Sequence, residues 1–328
     1  MSKTTFYVGI DVGRDELWAC CDDHKPRCFK HTKTGIRSLY NWAEKAAGDS
    51  CLHICMEATG VYGLSVAYQL HAHRNVDISI INPAQIASYA RAQLRRTKTD
   101  QVDARVILSF AQSQQPSLWS PESKSLQQLC QLVTQADAIQ ADLRQWTNRR
   151  HAQQYSPNLA DEVKKSQRAI ERTLKRQLEK IHKSIENLCQ NDVELNEQTQ
   201  LLKTITGVGH LTAVRVLAYG KKALIERNRK QLTAHAGLAP RHRQSGTSVH
   251  GKSYIAKQGD RRLRAALYMP TLVAIVHNPV IKSFYQRLLE KGKPKMLAII
   301  ACMRKLLLII RAMLINKKTF NPELIPLT

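Results

Sequence analysis

From Ser120 to Gln200 the chain carries no glycine and few prolines, while Gln, Glu, Lys and Leu abound. So long a stretch without the residue that frees the backbone is committed to helix. Within it Leu174, Leu178, Ile181, Ile185 and Leu188 recur at spacings of four, three, four and three, the stripe of a coiled coil. Tyr155-Ser156-Pro157-Asn158 interrupts the pattern and predicts a turn. The expectation is a long helical coiled-coil hairpin over 116–200, serving as an oligomerisation arm, that divides the chain into three domains, 1–115, 116–200 and 201–328.

The first domain reads as α/β. FYVGIDV, LWACCDD and RCFKHT are strand-like, and GIRSLYNWAEKA has helical spacing. LHICMEA (strand), GLSVAYQLHAH (helix), VDISIINP (strand) and AQIASYARAQ (helix) follow, and DQVDARVILSFAQSQ is a helix stopped by Pro116. Three early strands followed by alternating helices and strands predict one mixed sheet covered on both faces. The last domain, from LLKTITGVGHLTA onward, mixes short helices with a Gly/Ser/Thr/Arg-rich stretch over Arg241–Gly259.

Charge is segregated. Residues 1–112 hold 14 basic and 11 acidic side chains and residues 113–200 hold 12 and 11, whereas residues 201–328 hold 24 and 4. Solubility alone would spread such an excess, so the C-terminal third is built to meet a polyanion, and nucleic acid is the partner expected. No membrane partner is expected. The best apolar stretch, MLAIIACMRKLLLIIRAMLI, is interrupted by Arg304, Lys305 and Arg311. The opening MSKTTFYVGI runs straight into a strand without a leader pattern, so a cytoplasmic, bacterial location is expected. Eight cysteines in no framework read as reduced thiols. Cys51, His53, Cys55 and Glu57 alternate onto one face, but no spaced Cys or His pair completes a zinc site, so ordinary core thiols are expected.

Four acids stand out. Asp11 ends the apolar run FYVGI and Glu57 ends LHICM, positions where burial disfavours a charge. Neighbouring strands would present the two side by side. Asp100 and Asp103, three apart, share one helical face, where like charges repel. A helix packed across the sheet would bring all four together, and such a quartet calls for hard divalent cations. Magnesium fits best, as two ions clamping a phosphodiester. Arg95, Arg96, Lys98 and Arg105 flank the acidic pair and are expected to hold phosphates.

This order of elements resembles the ribonuclease-H-like fold of RuvC-type nucleases. YVGIDV, ICMEATG, INP and KTDQVDAR resemble, more sharply, the N-terminal motifs of the DEDD transposases of bacterial insertion sequences, the insertion sequence 110 family and its 1111 group. The resemblance implies that Asp11, Glu57, Asp100 and Asp103 are the metal-binding catalytic acids.

In the basic third, Gly207 and Gly209 precede an apolar helix, the pattern of a helix-hairpin-helix backbone-amide anion site. AGLAPRHRQSGTS and KQGDRRLRAALYMP resemble the signature of the family's C-terminal transposase domain, which implies that Ser245 is a DNA-attacking nucleophile. Arg241, Arg243, Lys252, Lys257, Arg261, Arg262 and Arg264 are expected to bind nucleic acid around it. The resemblance further implies double-stranded element and target DNA, a structured guide RNA that chooses them by base pairing, a homo-oligomer (dimer or tetramer), and a covalent phosphoserine intermediate. A RuvC-like junction-resolving endonuclease using water is the alternative. An actin-type or sugar-kinase-type ATP site, suggested by GIDVG, would need a second Gly-rich phosphate loop that the sequence does not carry, and a non-catalytic scaffold would leave the acids without a purpose.

Overall fold

The computed structural model describes residues 4–22, 24–73, 75–94, 99–241, 244–245, 249–250, 254–256 and 258–324. Its contacts separate two units, Met1–Pro121 and Glu122–Thr328, so the long helices are grouped with the C-terminal part.

In the first unit, β1 (Thr5–Val12), β2 (Glu16–Cys21) and β3 (Arg27–Lys30) form an antiparallel meander. After α1 (Lys33–Ala47), β4 (Cys51–Glu57) joins β1 in parallel. After α2 (Val61–His71), β5 (Val76–Ile81) joins β4 in parallel, and α3 (Pro83–Ala92) and α4 (Asp100–Gln114) close the unit. The sheet order is β3-β2-β1-β4-β5. The mixed sheet arises because a tight turn can only reverse the chain, whereas β4 and β5 each follow a helix long enough to carry it back. Side-chain alternation sets the two faces. Val8, Ile10 and Val12 bury against Leu52, Ile54 and Met56 and against Ile36, Leu39, Val66 and Leu70 of α1 and α2. On the other face, Cys55 packs with Val106, Ile107 and Phe110 of α4 and Ile86 of α3.

The second unit is helical apart from short strand pairs. α5 (Lys124–Gln153) and α6 (Asp161–Asn191) flank the expected turn as a hairpin. Its base is apolar, with Leu129, Val133, Ile185 and Cys189 in the core. Its far end is held by polar groups. Gln167 and Glu171 are buried, Glu171 pairs with Arg150 at 3.3 Å, and Thr147 donates to Glu171 at 3.2 Å. There follow α7 (Val193–Lys203), α8 (His210–Glu226) and α9 (Arg229–His235). Four two-residue strands come next: β6 (Pro240–Arg241), β7 (Gln244–Ser245), β8 (Val249–His250) and β9 (Tyr254–Ile255). Then come α10 (Arg261–His277), α11 (Pro279–Glu290) and α12 (Lys295–Asn316). Helix α12 buries Cys302, Leu306, Leu307 and Ile310 at the centre of this unit. Among the described residues no helix is long and apolar enough to cross a membrane.

Candidate carboxylate site and nucleic-acid interface

The parallel register of β1 on β4 runs Gly9↔Cys55 and Ile10↔Met56, so the next pair along the ladder is Asp11 and Glu57. Because Ile10 and Val12 point into the core beneath α1 and α2, Asp11 faces the side covered by α4. That helix approaches very closely. A Cβ on Gly9 would lie 2.4 Å from the Leu108 amide nitrogen and 2.5 Å from the Ala104 carbonyl oxygen. Glycine two residues before Asp11, on the same face, lets helix backbone lie against strand backbone.

Helix α4 starts at Thr99, whose hydroxyl accepts from the Val102 amide at 3.3 Å. Asp100 and Asp103 therefore sit in the first turn, where the amide ends of the helix favour negative charge. That local field answers part of the repulsion between them. The remainder is felt at Asp11, whose carboxyl is pushed up to about 6, first by burial and then by the charges of Asp103, Asp100 and Glu57, against a smaller opposing hydrogen bond from the Val12 amide. The four acids predicted from the sequence thus share one electrostatic neighbourhood.

They do not form a closed ligand cage. Among the described residues no group of three or more His, Cys, Asp or Glu side chains is gathered tightly enough to hold a metal ion as it stands. The donor set is nonetheless of the right kind: carboxylate oxygens only, one of them raised toward neutrality by burial and by its unbalanced negative neighbours, which suits a hard divalent cation that retains waters. The alternating Cys51, His53, Cys55 and Glu57 make no zinc centre. His53 Nε2 is paired with Ser79 Oγ at 2.8 Å, and burial pushes the Cys55 thiol up to about 12.

Trp18 was not foreseen. It is the ladder partner of Asp11 on β2 and packs with Cys20, Ala104 and Leu108. Its indole Nε1 is buried with no hydrogen-bond partner among the described residues. The signal was the alternation of LWACC, but only the register shows that Trp18 stands beside an acid. Arg105 is exposed and its side chain reaches Cys20. Arg95, Arg96 and Lys98 lie outside the described residues.

In the second unit the Gly/Ser/Thr/Arg-rich stretch folds back on itself. β6 pairs with β9, and β7 with β8 in the register Gln244↔His250 and Ser245↔Val249. Ser245 is thus the last strand residue before the connection at 246–248. The base is fixed by Gly259 (φ 132°), where a Cβ would lie 2.4 Å from the His235 carbonyl oxygen, and by the Asp260 side chain capping the Arg262 and Leu263 amides at 2.7 and 2.8 Å. Arg243, Lys252 and Lys257 lie outside the described residues, as do the side chains of Arg241 and Ser245. Of the remaining expected phosphate binders, Arg261 is exposed. The Arg262 guanidinium lies 5.1 Å from the Tyr219 ring centroid and donates to Thr134 at 3.3 Å, while Arg264 donates to the Ala236 carbonyl at 3.2 Å. Gly207 (φ 100°) lies against the α10 backbone at Ala274, and Gly209 is the N-cap of α8, with open space around its Cα.

A family model described as Transposase matches residues 8–155, and one described as Transposase IS116/IS110/IS902 family matches residues 199–286. The pilin gene-inverting proteins of Moraxella bovis and Moraxella lacunata are each 33% identical over 99% of this chain and 99% of their own length. The chain belongs to the IS110 transposase family. A transposase for insertion sequence element IS1328 from Yersinia enterocolitica, 24% identical, covers 79% of this chain and 81% of its own length. As a member of the IS110 family the protein is a transposase, a DNA recombinase in the broad sense, and DNA is its expected partner. The two family matches bracket the acids and the serine respectively, since Asp11, Glu57, Asp100 and Asp103 fall in the first and Ser245 in the second.

Proposed function

We propose that this transposase cuts, exchanges and rejoins DNA strands of a mobile element through a serine-linked intermediate, with Asp11, Glu57, Asp100 and Asp103 as the catalytic carboxylates. The observation that carries the reading is the convergence of the four acids: Asp11 and Glu57 follow the last paired rungs of β1 and β4, the helix pressed against β1 begins with Asp100 and Asp103, and Asp11 is raised first by burial and then by the charges of the other three. Carboxylates gathered so that one of them is held off its ordinary value mark a functional site. The strand order and the helix laid over β1 support a ribonuclease-H-like, RuvC-like reading of the first unit. The four acids would hold magnesium, which supplies charge neutralisation and phosphoryl polarisation when bound. The chain's own contributions are the C-terminal ends of two interior strands for Asp11 and Glu57, a capped helix start for Asp100 and Asp103, and a β-ribbon carrying Ser245.

The reaction balances as a transesterification. The Ser245 hydroxyl oxygen bonds to phosphorus, the bond from phosphorus to the 3′ oxygen breaks, and the serine proton ends on the 3′-hydroxyl. Attack by a 3′-hydroxyl from another strand then restores the serine, so no nucleotide cofactor is consumed. The concentration of basic side chains in residues 201–328 supports backbone binding of both DNA and a guide RNA, with sequence choice delegated to base pairing. Strand exchange between two duplexes favours a dimer or tetramer.

With element-end DNA, magnesium and co-purified RNA, wild-type protein is expected to give a protein–DNA adduct that survives denaturation, and Ser245→Ala none. An adduct of undiminished yield from Ser245→Ala refutes the nucleophile. Cleavage by wild type that leaves free ends and no adduct supports hydrolysis by water, as in a junction-resolving endonuclease. Asn at any of the four acids is expected to abolish strand exchange while RNA binding stays within about twofold, since these residues bring no positive charge to the backbone.

A further inference from the structure

The second unit contains a cavity that the strand-exchange reading does not use. It has a volume of about 630 Å³ and lies between α11, α12 and the chain that follows α12 at Lys318–Asn321. This is within the range of about 300–1,000 Å³ that holds small ligands. Its walls are apolar, with Leu308, Ile309, Met313 and Phe320 among them. Arg229, Arg304, Lys305 and Lys318 supply its charge, and no Asp or Glu among the described residues lines it.

Lys305 is the informative member. Its Nζ is buried and has no hydrogen-bond partner among the described residues. It sits 4.6 Å from the ring centroid of Phe284, another wall residue. Cation–π attraction offsets only part of the cost of removing an ammonium from water. A helix interior would be better served by Leu or Met at this position unless an anion enters. Burial and the nearby Arg287 also lower the affinity of Lys305 for its proton, the condition that an incoming anion relieves.

We propose that this cavity binds one unpaired nucleotide of a nucleic-acid strand, with its base against the apolar wall and its phosphate on Arg304 and on Lys305, whose ammonium turns from the Phe284 ring to meet it. The charge requires an anion. The wall requires a flat apolar body joined to it, which inorganic phosphate lacks. A base held in a duplex cannot enter, because its faces are already stacked. The chemistry is common to single-stranded DNA and single-stranded RNA. The site is independent of the carboxylate chemistry, so loss of strand exchange in an Asp11 variant leaves it untouched, and its own failure leaves the carboxylate reading untouched.

The test uses the full chain and a short unstructured oligonucleotide with a fluorescent end label, as single-stranded DNA, as single-stranded RNA and as a DNA duplex, read by anisotropy. Lys305→Met is expected to weaken binding of at least one single strand about tenfold, the scale of a lost stacked and charge-paired nucleotide, and to leave the duplex within about twofold. Its thermal midpoint should not fall, since an unpaired buried charge has been removed. Arg304→Gln, at an exposed position, keeps the test valid should Lys305→Met misfold. Lys293→Gln, exposed and outside the cavity, controls for charge alone. Weakening confined to DNA or to RNA identifies the source of the nucleotide and supports the site. Single strands bound by Lys305→Met or Arg304→Gln as tightly as by wild type, or weakened no more than by Lys293→Gln, overturn it, as does equal weakening of the duplex.

Discussion

Asp11→Asn separates the cost of the carboxylate quartet from its use. Asparagine keeps the shape of the side chain and removes the charge. In the unfolded chain Asp11 titrates near the ordinary value of 3.8, and in the folded protein it is held at about 6. Below the lower value the group is neutral in both states and costs nothing. As pH rises between the two, the unfolded chain releases a proton that the folded protein retains, so stability declines, and the whole penalty is present by pH 7. At about 1.4 kcal/mol per pH unit the interval corresponds to about 3 kcal/mol. Asp11 is only partly buried, and screening by solvent brings this to about 1.5 kcal/mol. Metal-free Asp11→Asn should therefore exceed wild type in stability by about 1.5 kcal/mol near pH 7.5 and by little near pH 4. Urea titration read by hydrogen exchange in peptides from β1 and β4 checks this, because it reports the first unit by itself and the two units need not unfold together. Added magnesium should close the gap by stabilising wild type alone. A variant less stable than wild type near pH 7.5, or a difference that does not change with pH, refutes the convergence of charge on Asp11.

Gly9→Ala places a methyl where the α4 backbone now lies, 2.4 Å from the Leu108 nitrogen. The helix must move away, and a loss of about 2–4 kcal/mol is expected, together with loss of strand exchange, whereas Gly48→Ala, at a position with nothing nearby, tests strain alone; thermal melts and exchange assays check both. Trp18→Phe removes the buried indole N–H that has no acceptor among the described residues. Stability should be unchanged or higher by up to about 1 kcal/mol, and strand exchange should fall if that N–H meets substrate, so full exchange activity would restrict Trp18 to packing.

What was legible in the sequence follows from the range over which each signal acts. Asp11 and Glu57 could be read because an acid directly after a predominantly apolar, buried run conflicts with its surroundings, and the conflict is local. Asp100 and Asp103 could be read because three residues is nearly one helical turn. Gly9 and Trp18 could not, although both lie in segments recognised as strands, because their roles depend on which helix crosses the sheet and on the β1–β2 register. The Ser245 ribbon was indistinct because rungs of two residues are too short to show alternation. Arg262 and Arg264 show a different limit. Composition counts their charges but does not reveal that Tyr219, Thr134 and the Ala236 carbonyl already engage them. The stripe Leu174–Leu188 describes the apolar end of α6, while the polar lock of Gln167, Glu171 and Arg150 toward its start follows no heptad rule.

The segregation of charge explains why binding and chemistry should come apart under mutation. Residues 201–328 carry 24 basic and 4 acidic side chains, while residues 1–112, which hold the quartet, are close to balanced. Long-range attraction to a phosphate backbone is a property of summed charge, so it resides in the C-terminal third and changes little when one carboxylate is neutralised. The quartet acts at short range, where burial and the other three charges together hold Asp11 at about 6 and where the four would repel a bare phosphate brought among them. A polyanion held elsewhere on the protein can reach that cluster only if a cation offsets the repulsion. On the proposed reading, the same four charges would therefore make entry of the phosphodiester conditional on a bound divalent ion.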